Sequence, residues 1–178
     1  MDNITFYRAA TFVAGMIRPG TTSPFVQLEF RFGELTMFAG DRCDKALVRM
    51  AVPPVCYCDV SLTPEAIAAL SLADGPLEIR QLPSGGVLFG HLLEAPPAAP
   101  IDPEWINRVK SARPAHSVFH SIYAAAWASA CAGLNSLSNF PTMGNPVLVE
   151  PYLDWHILRP DFTLAPGVTE AWALVGKV

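Results

Sequence analysis

Positive charge is scarce in this chain. Twelve Lys and Arg stand against sixteen Asp and Glu in 178 residues, a formal net charge of -4. A protein this acidic does not hold nucleic acid by bulk charge; it would need a local basic patch. Charge of either sign is thin, at 16%, while apolar residues make up 51%. That balance excludes a disordered chain and leaves ample material for a core in one or two domains. The positive mean hydropathy, +0.30, points to apolar surface covered in an oligomer.

Long apolar runs are missing as well. The Ala-rich stretch from Ile122 to Leu134 is too short to span a bilayer and is interrupted by Ser129 and Gly133. No membrane association is expected. Met1 to Arg8 carries Asp2 and no basic stretch ahead of an apolar run. No export signal is therefore expected, and a cytoplasmic location follows as an expectation. Cysteine is limited to Cys43, Cys56, Cys58 and Cys131. Cys56 and Cys58 would share one face of a strand, but a zinc site wants a second pair of ligands. The four read as reduced, small apolar residues.

Catalytic signatures are absent too. His116 and His120 are four apart, a helical spacing that can hold a metal. Yet Val118-Phe119 reads as strand, and no carboxylate completes a ligand set. There is no Gly-x-Ser-x-Gly and no cysteine with a histidine partner. Ser84-Gly85-Gly86 lacks the Gly-Lys-Ser/Thr ending of a phosphate loop. Asp154 and Asp161 flank Trp155 and Arg159, but isolated loop acids are mostly solvated. No catalytic residue, metal ligand or cofactor is assigned, and a non-enzymatic role is expected.

What is present is a recurring pattern. Phe6, Ala9, Ala10, Val13, Met16 and Ile17 form a helical stripe, ended by Pro19-Gly20. Val26, Leu28, Phe30 and Phe32 then alternate with Gln27, Glu29 and Arg31 as a half-buried strand. Gly33-Glu34 turns it into a strand over Leu35 to Phe38, and a third strand spans Lys45 to Val52. Cys56 to Leu62 reads as a strand. Thr63-Pro64-Glu65 then starts a helix: Thr caps, Pro fits the first turn and Glu complements the dipole. Ile67, Leu70 and Leu72 are its stripe. Leu77 to Leu82 and Val87 to Leu93 form a hairpin about Ser84-Gly85-Gly86. Pro96 to Pro103 reads as a connector, followed by a short polar helix over Glu104 to Lys110.

A short strand over Val118 to His120 opens a third pass. The Ala-rich helix Ile122 to Leu134 follows, able to lie close against a sheet. Strands over Val147 to Glu150, Trp155 to Leu158 and Ala171 to Val175 complete it. Strand, helix, strand, strand thus recurs three times with a period of roughly 60 residues. The fold class expected is α+β, with a single mixed α/β domain as the alternative. The four tryptophans fall at Trp105, Trp127, Trp155 and Trp172. Trp127 reads as core, and Trp155 and Trp172 as core or subunit interface. Only Trp155 with Arg159 approaches the aromatic and basic interleaving of a base-stacking surface.

This repeated unit resembles that of the DNA sliding clamps, the bacterial polymerase processivity factor and its relatives. Leu28-Glu29-Phe30-Arg31-Phe32-Gly33-Glu34-Leu35-Thr36-Met37-Phe38-Ala39-Gly40-Asp41 is similar to a clamp's first hairpin. Cys58 to Leu92 resembles the second half of a clamp domain, and Pro146 to Pro160 the last. The resemblance implies β-α-β-β-β half-units with helices on one face of antiparallel sheets. It divides the chain into a clamp-like domain of two half-units, residues 1–113, and a third half-unit, residues 114–178. It implies a ring around duplex DNA that tethers a polymerase or another replication protein, as in a short, phage-type clamp. Family rings contain twelve half-units, which four copies would supply, so a tetramer is the implied homo-oligomer.

The cations that could face such a channel are Arg8, Arg18, Arg108, Lys110 and Arg113. Arg18 follows the first helix, where the family often keeps a basic residue. Leu158 and Pro160 lie where the family's partner-groove residues fall. The helices from Thr63 to Ala73 and from Ile122 to Leu134 carry no Lys or Arg. That leaves open a second reading, a structural or interaction oligomer for assembly or host takeover that binds no DNA. A third is a small enzyme with a loop-borne site holding a perturbed acid or His156.

Overall fold

The computed structural model describes residues 2–21, 24–40, 44–54, 57–70, 76–91, 93–104, 106–107, 124–140, 145–152 and 154–176. The first element is a helix, α1 (Asn3–Ala14). Asp2 caps it, accepting from the Thr5 backbone N–H at 2.7 Å and from the Thr5 hydroxyl. These bonds favour the carboxylate and pull the Asp2 pKa below its ordinary value. Phe6, Ala9, Ala10 and Val13 are fully buried along one stripe, as the spacing predicts, and Met16 continues it past the helix end.

Three antiparallel strands follow: β1 (Val26–Arg31), β2 (Glu34–Gly40) and β3 (Asp44–Ala51). The β1–β2 turn differs from the sequence expectation. Arg31 pairs with Glu34, so the loop is Phe32-Gly33, with φ of 48° and 82°. Two left-handed residues mark a type I′ turn. Phe32 therefore leaves the strand and is 90% exposed instead of continuing the buried stripe.

The second pass is β4 (Cys58–Leu62), α2 (Pro64–Leu70), β5 (Ile79–Gln81), β6 (Val87–Phe89) and β7 (Leu93–Ala95). The Thr63 hydroxyl accepts from the Ala66 N–H at 3.2 Å. Ile67 and Leu70 bury the stripe of α2, while Leu72 lies outside the described residues. The stretch read as one returning strand over Val87 to Leu93 is two strands. Gly90, at φ 59°, breaks it, and β5-β6-β7 form their own three-stranded sheet.

The third pass is α3 (Ala124–Ser136), β8 (Val147–Tyr152), β9 (Trp155–Pro160) and β10 (Val168–Gly176). Its expected leading strand, Val118 to His120, lies outside the described residues. Of the expected helix from Glu104 to Lys110, residues 104, 106 and 107 are helical and the rest lie outside the described residues.

The large sheet has seven strands in the order β4-β1-β2-β3-β10-β9-β8. At its centre β3 and β10 pair antiparallel, Leu47 opposite Trp172 and Ala46 opposite Ala173. These two strands hold the same place in their units, so α1-β1-β2-β3 and α3-β8-β9-β10 face each other across a local two-fold axis. Both helices lie on the same side, α1 over β1, β2 and β3, α3 over β9 and β10, and the two helices touch. Between them and the sheet sits the main core, with Leu28, Phe30, Leu35, Met37, Val48 and Leu158 among its members. Each fully buried side chain of this size contributes about 2 kcal/mol.

The opposite face of the sheet is also covered. Phe38, Leu47, Ile157, Trp172 and Leu174 form a second cluster there with Ile101 and Ile106. The connector reaches this face along β4: Ala98 N–H donates to the Asp59 carbonyl at 2.8 Å and Pro97 bridges Val60. Trp172 and Trp155 thus belong to, or pack against, the outer cluster, and Trp127 packs against the inner one.

Candidate functional site

The helical face is built by the contact of α1 with α3. A Cβ on Gly133 would stand 2.2 Å from Phe12 Cδ2, so only glycine allows this approach. Beside the contact runs a cavity of about 350 Å³, lined by Tyr7, Arg8, Thr11, Ser129, Gly133 and Ser136. Arg8 is half-buried in it and lies within electrostatic reach of Asp2. The groove gathers a cation, a phenol and the hydroxyls of Thr11 and Ser129, a set that suits a sparse contact to phosphate oxygens, while the Ser136 hydroxyl donates to the Gly133 carbonyl at 2.6 Å. The sequence of α3, Ala-Ala-Ala-Trp-Ala-Ser-Ala-Cys-Ala-Gly-Leu-Asn-Ser, adds no charge.

Arg18 is placed differently. It forms an ion pair with the fully buried Asp44, whose other oxygen accepts the Gly176 N–H at 3.0 Å. Arg18 thereby ties the end of α1 to both β3 and β10. Arg108, Lys110 and Arg113 lie outside the described residues. Leu158 is fully buried in the main core, and Pro160, half-buried, ends β9 opposite Val147. Leu158 and Pro160 do not line the groove that holds Arg8.

Two further cavities lie on other surfaces. One of about 290 Å³ is lined by Phe25, Gln27, Phe38, Gly40, Ser61 and Ala98, between the outer sheet face and the connector. One of about 580 Å³ has apolar walls from Pro53, Pro76, Leu77 and Ile79, with Arg80 and His91 among its other lining residues. Sequence reasoning singled out neither. Their walls come from separate strands and turns, and no local pattern announces them.

At the β1–β2 turn the exposed ring of Phe32 stands edge-on to Tyr57, centroids 5.7 Å apart. The Arg31 guanidinium sits 4.5 Å over the Tyr57 ring and is held by both Asp59 oxygens at 2.7 and 2.8 Å. Burial opposes the Arg31 charge, but hydrogen bonding and attraction from Asp59 and Glu29 outweigh it and raise the pKa. The Phe-Gly dipeptide between two alternating runs was the available signal for this turn.

Among the described residues no group of three or more His, Cys, Asp or Glu side chains gathers as metal ligands do. Nor is any described helix long and apolar enough to cross a membrane. The Cys131 thiol, half-buried on α3, has its pKa pushed up by burial, the opposite of an activated nucleophile.

No protein-family model matches the chain, and no curated protein matches it. Solved structures do. Pol III beta of Caulobacter crescentus aligns with a TM-score of 0.61 at 10% identity, covering 100% of this chain and 65% of that one. The DNA polymerase III beta subunit of Thermotoga maritima gives 0.54 at 9% identity, covering 100% and 63%. A DNA polymerase sliding clamp from Pseudomonas aeruginosa gives 0.50 at 10%, covering 100% and 63%. The chain spans less than two thirds of the length of each.

Proposed function

Because the chain carries the fold of a bacterial sliding clamp, we propose that it works as one: a non-catalytic, oligomeric ring on duplex DNA that tethers a replication partner. Residues 1–113 supply two half-units and residues 114–178 a third, and copies join through sheet edges to close the ring, a tetramer by half-unit count. The observation that carries the reading is the pair of α-β-β-β units related about the β3·β10 junction, with α1 and α3 side by side on one face. Such a face lines a hole when units repeat around an axis. Arg8, in the groove between the helices, makes the phosphate contact. Arg108, Lys110 and Arg113 add charge to the same task, while Arg18 acts through its bond to Asp44. A partner peptide docks near Pro160, with Leu158 as a buried support.

A second reading, an assembly oligomer that binds no DNA, is favoured by the uncharged α3. Binding to a covalently closed DNA circle, before and after one cut, separates the two. A clamp stays on the circle at high salt and slides off once the DNA is linear. Equal retention on both forms, or none on either, rejects the encircling ring.

A further inference from the structure

The two edges of the large sheet differ. The outward groups of β4 are taken by the chain's own connector: the Ser61 N–H donates to the Pro96 carbonyl at 3.2 Å, the Ala98 N–H to the Asp59 carbonyl at 2.8 Å, and Pro97 bridges Val60. At the other end β8 pairs with β9 on one side, and no described strand lies beyond it. The Asp161 N–H bonds the Pro146 carbonyl at 3.0 Å. Counting on by twos, Leu148, Glu150 and Tyr152 turn their backbone groups to β9, while Val147, Val149 and Pro151 turn theirs outward. On this edge Leu148 is 49% and Val149 43% exposed, on opposite faces of the strand.

We infer that this edge pairs with itself: β8 of one copy lies antiparallel to β8 of a second copy about a two-fold axis through Leu148, normal to the sheet. In that register Val147 and Val149 of one chain exchange N–H and carbonyl bonds with Val149 and Val147 of the other, so every outward donor and acceptor of both residues is used. Leu148 meets its own counterpart in a close pair without backbone bonds. An axis through Val149 would instead set Val147 against Pro151, which has no N–H to give.

The surroundings select a second copy over an unrelated strand. Antiparallel pairing about such an axis repeats the β3·β10 junction, where α1 and α3 share one face; here α3 of both copies falls on one face. The contact also ends itself. Two seven-stranded sheets merge into one whose outer strands are β4 and its counterpart, each capped by its own connector, so the merged sheet has no open edge left to recruit further strands. Nor do like charges meet. Glu150, tied to Arg159 at 3.2 Å, falls opposite Pro146 of the partner, about 13 Å along the strand from the partner's Glu150. Asp161, on the far side of Pro146, stays two strand spacings away, about 10 Å, and Asp154 lies in the β8–β9 turn beyond the paired stretch.

This contact needs neither DNA nor a closed ring; a ring of four would use it twice, alternating with a different contact. The test is the light-scattering mass of the full chain against Leu148→Lys and Leu148→Glu, alone and mixed, at equal concentration. Leu148 is half exposed, so both replacements keep the fold, and the axis sets each new charge against its own copy. Each variant alone is expected at half the native mass. A one-to-one mixture should regain the native mass, because Lys then faces Glu. Val149→Pro, which removes only an outward N–H, should also halve the mass. A monomeric native chain, variants of native mass, or a mixture that stays at half mass overturns the two-fold contact. A native mass of two chains with this pattern intact upholds the contact and counts against the ring alone.

Discussion

The ring of Phe12 on α1 fills the space that a Cβ on Gly133 of α3 would need, the nearest ring atom 2.2 Å from it. The two helices that lead their three-stranded hairpins are therefore fitted backbone to ring. Replacing Gly133 by Ala sets two effects against each other. Helix propensity favours Ala by about 1 kcal/mol. Forcing a methyl against a fixed ring costs about 1–3 kcal/mol, and Phe12, only 3% exposed, has little room to yield. The expected result is a net loss of about 1 kcal/mol in denaturant melts. A stabilised Gly133→Ala would show that the helices are looser than this contact implies.

Asp44 holds Arg18 with one oxygen and the Gly176 N–H with the other. Arg18→Ala leaves a buried carboxylate without its cation, which costs about 3–5 kcal/mol. An Arg18→Met, Asp44→Leu double replacement should recover much of that loss. Chemical denaturation of the four proteins in the cycle measures it. A loss under about 0.5 kcal/mol in Arg18→Ala would mean the pair contributes no more than an exposed one.

The Asp2 cap makes a pH-dependent contribution. Its folded pKa lies below the ordinary 3.8, so its stabilisation is full above 3.8 and disappears as pH falls through the lower folded value. Asp2→Ala should cost about 1 kcal/mol at neutral pH, and the gap to the native chain should close under strongly acidic conditions. Melting curves across pH check the sign; a gap that widens on acidification contradicts it.

For DNA, Arg8→Ala should reduce the slope of log affinity against log salt by about 0.9, one phosphate contact on B-form duplex. Titrations at several salt concentrations measure the slope. An unchanged slope would remove Arg8 from the contact set.

Much of the local architecture was legible. The Thr63-Pro64-Glu65 start encodes a cap, a fixed φ and a favourable charge in three letters, and α2 begins there. The stripe from Phe6 to Met16 has the helical period and is buried as such. Phe32 was misplaced because a period of two does not reveal where a strand stops. Only the Arg31↔Glu34 register shows that Phe32 belongs to the turn. The break at Gly90 was hidden because apolar residues continue on both sides of it.

The site was less legible than the fold. Arg18 follows the first helix as read, but its partner Asp44 is 26 positions away and carries no local mark. The groove at Arg8 needs α3, more than a hundred residues on, to exist at all. Side chains brought together by tertiary packing leave no periodic trace in a single sequence.

The β3·β10 junction also governs when the molecule can form. One edge of residues 44–51 pairs at once with β2, but the other finds its partners among residues 168–175, and Asp44 reaches Gly176 across 132 positions. Synthesis at about 5–20 residues per second leaves β3 waiting several seconds with a bare apolar edge. Such long-range pairing also folds slowly once the chain is released. During that interval the nascent first unit is a ready template for strands of other chains. Expression yield should respond to chaperone supply and growth temperature more than to the stability of the finished protein.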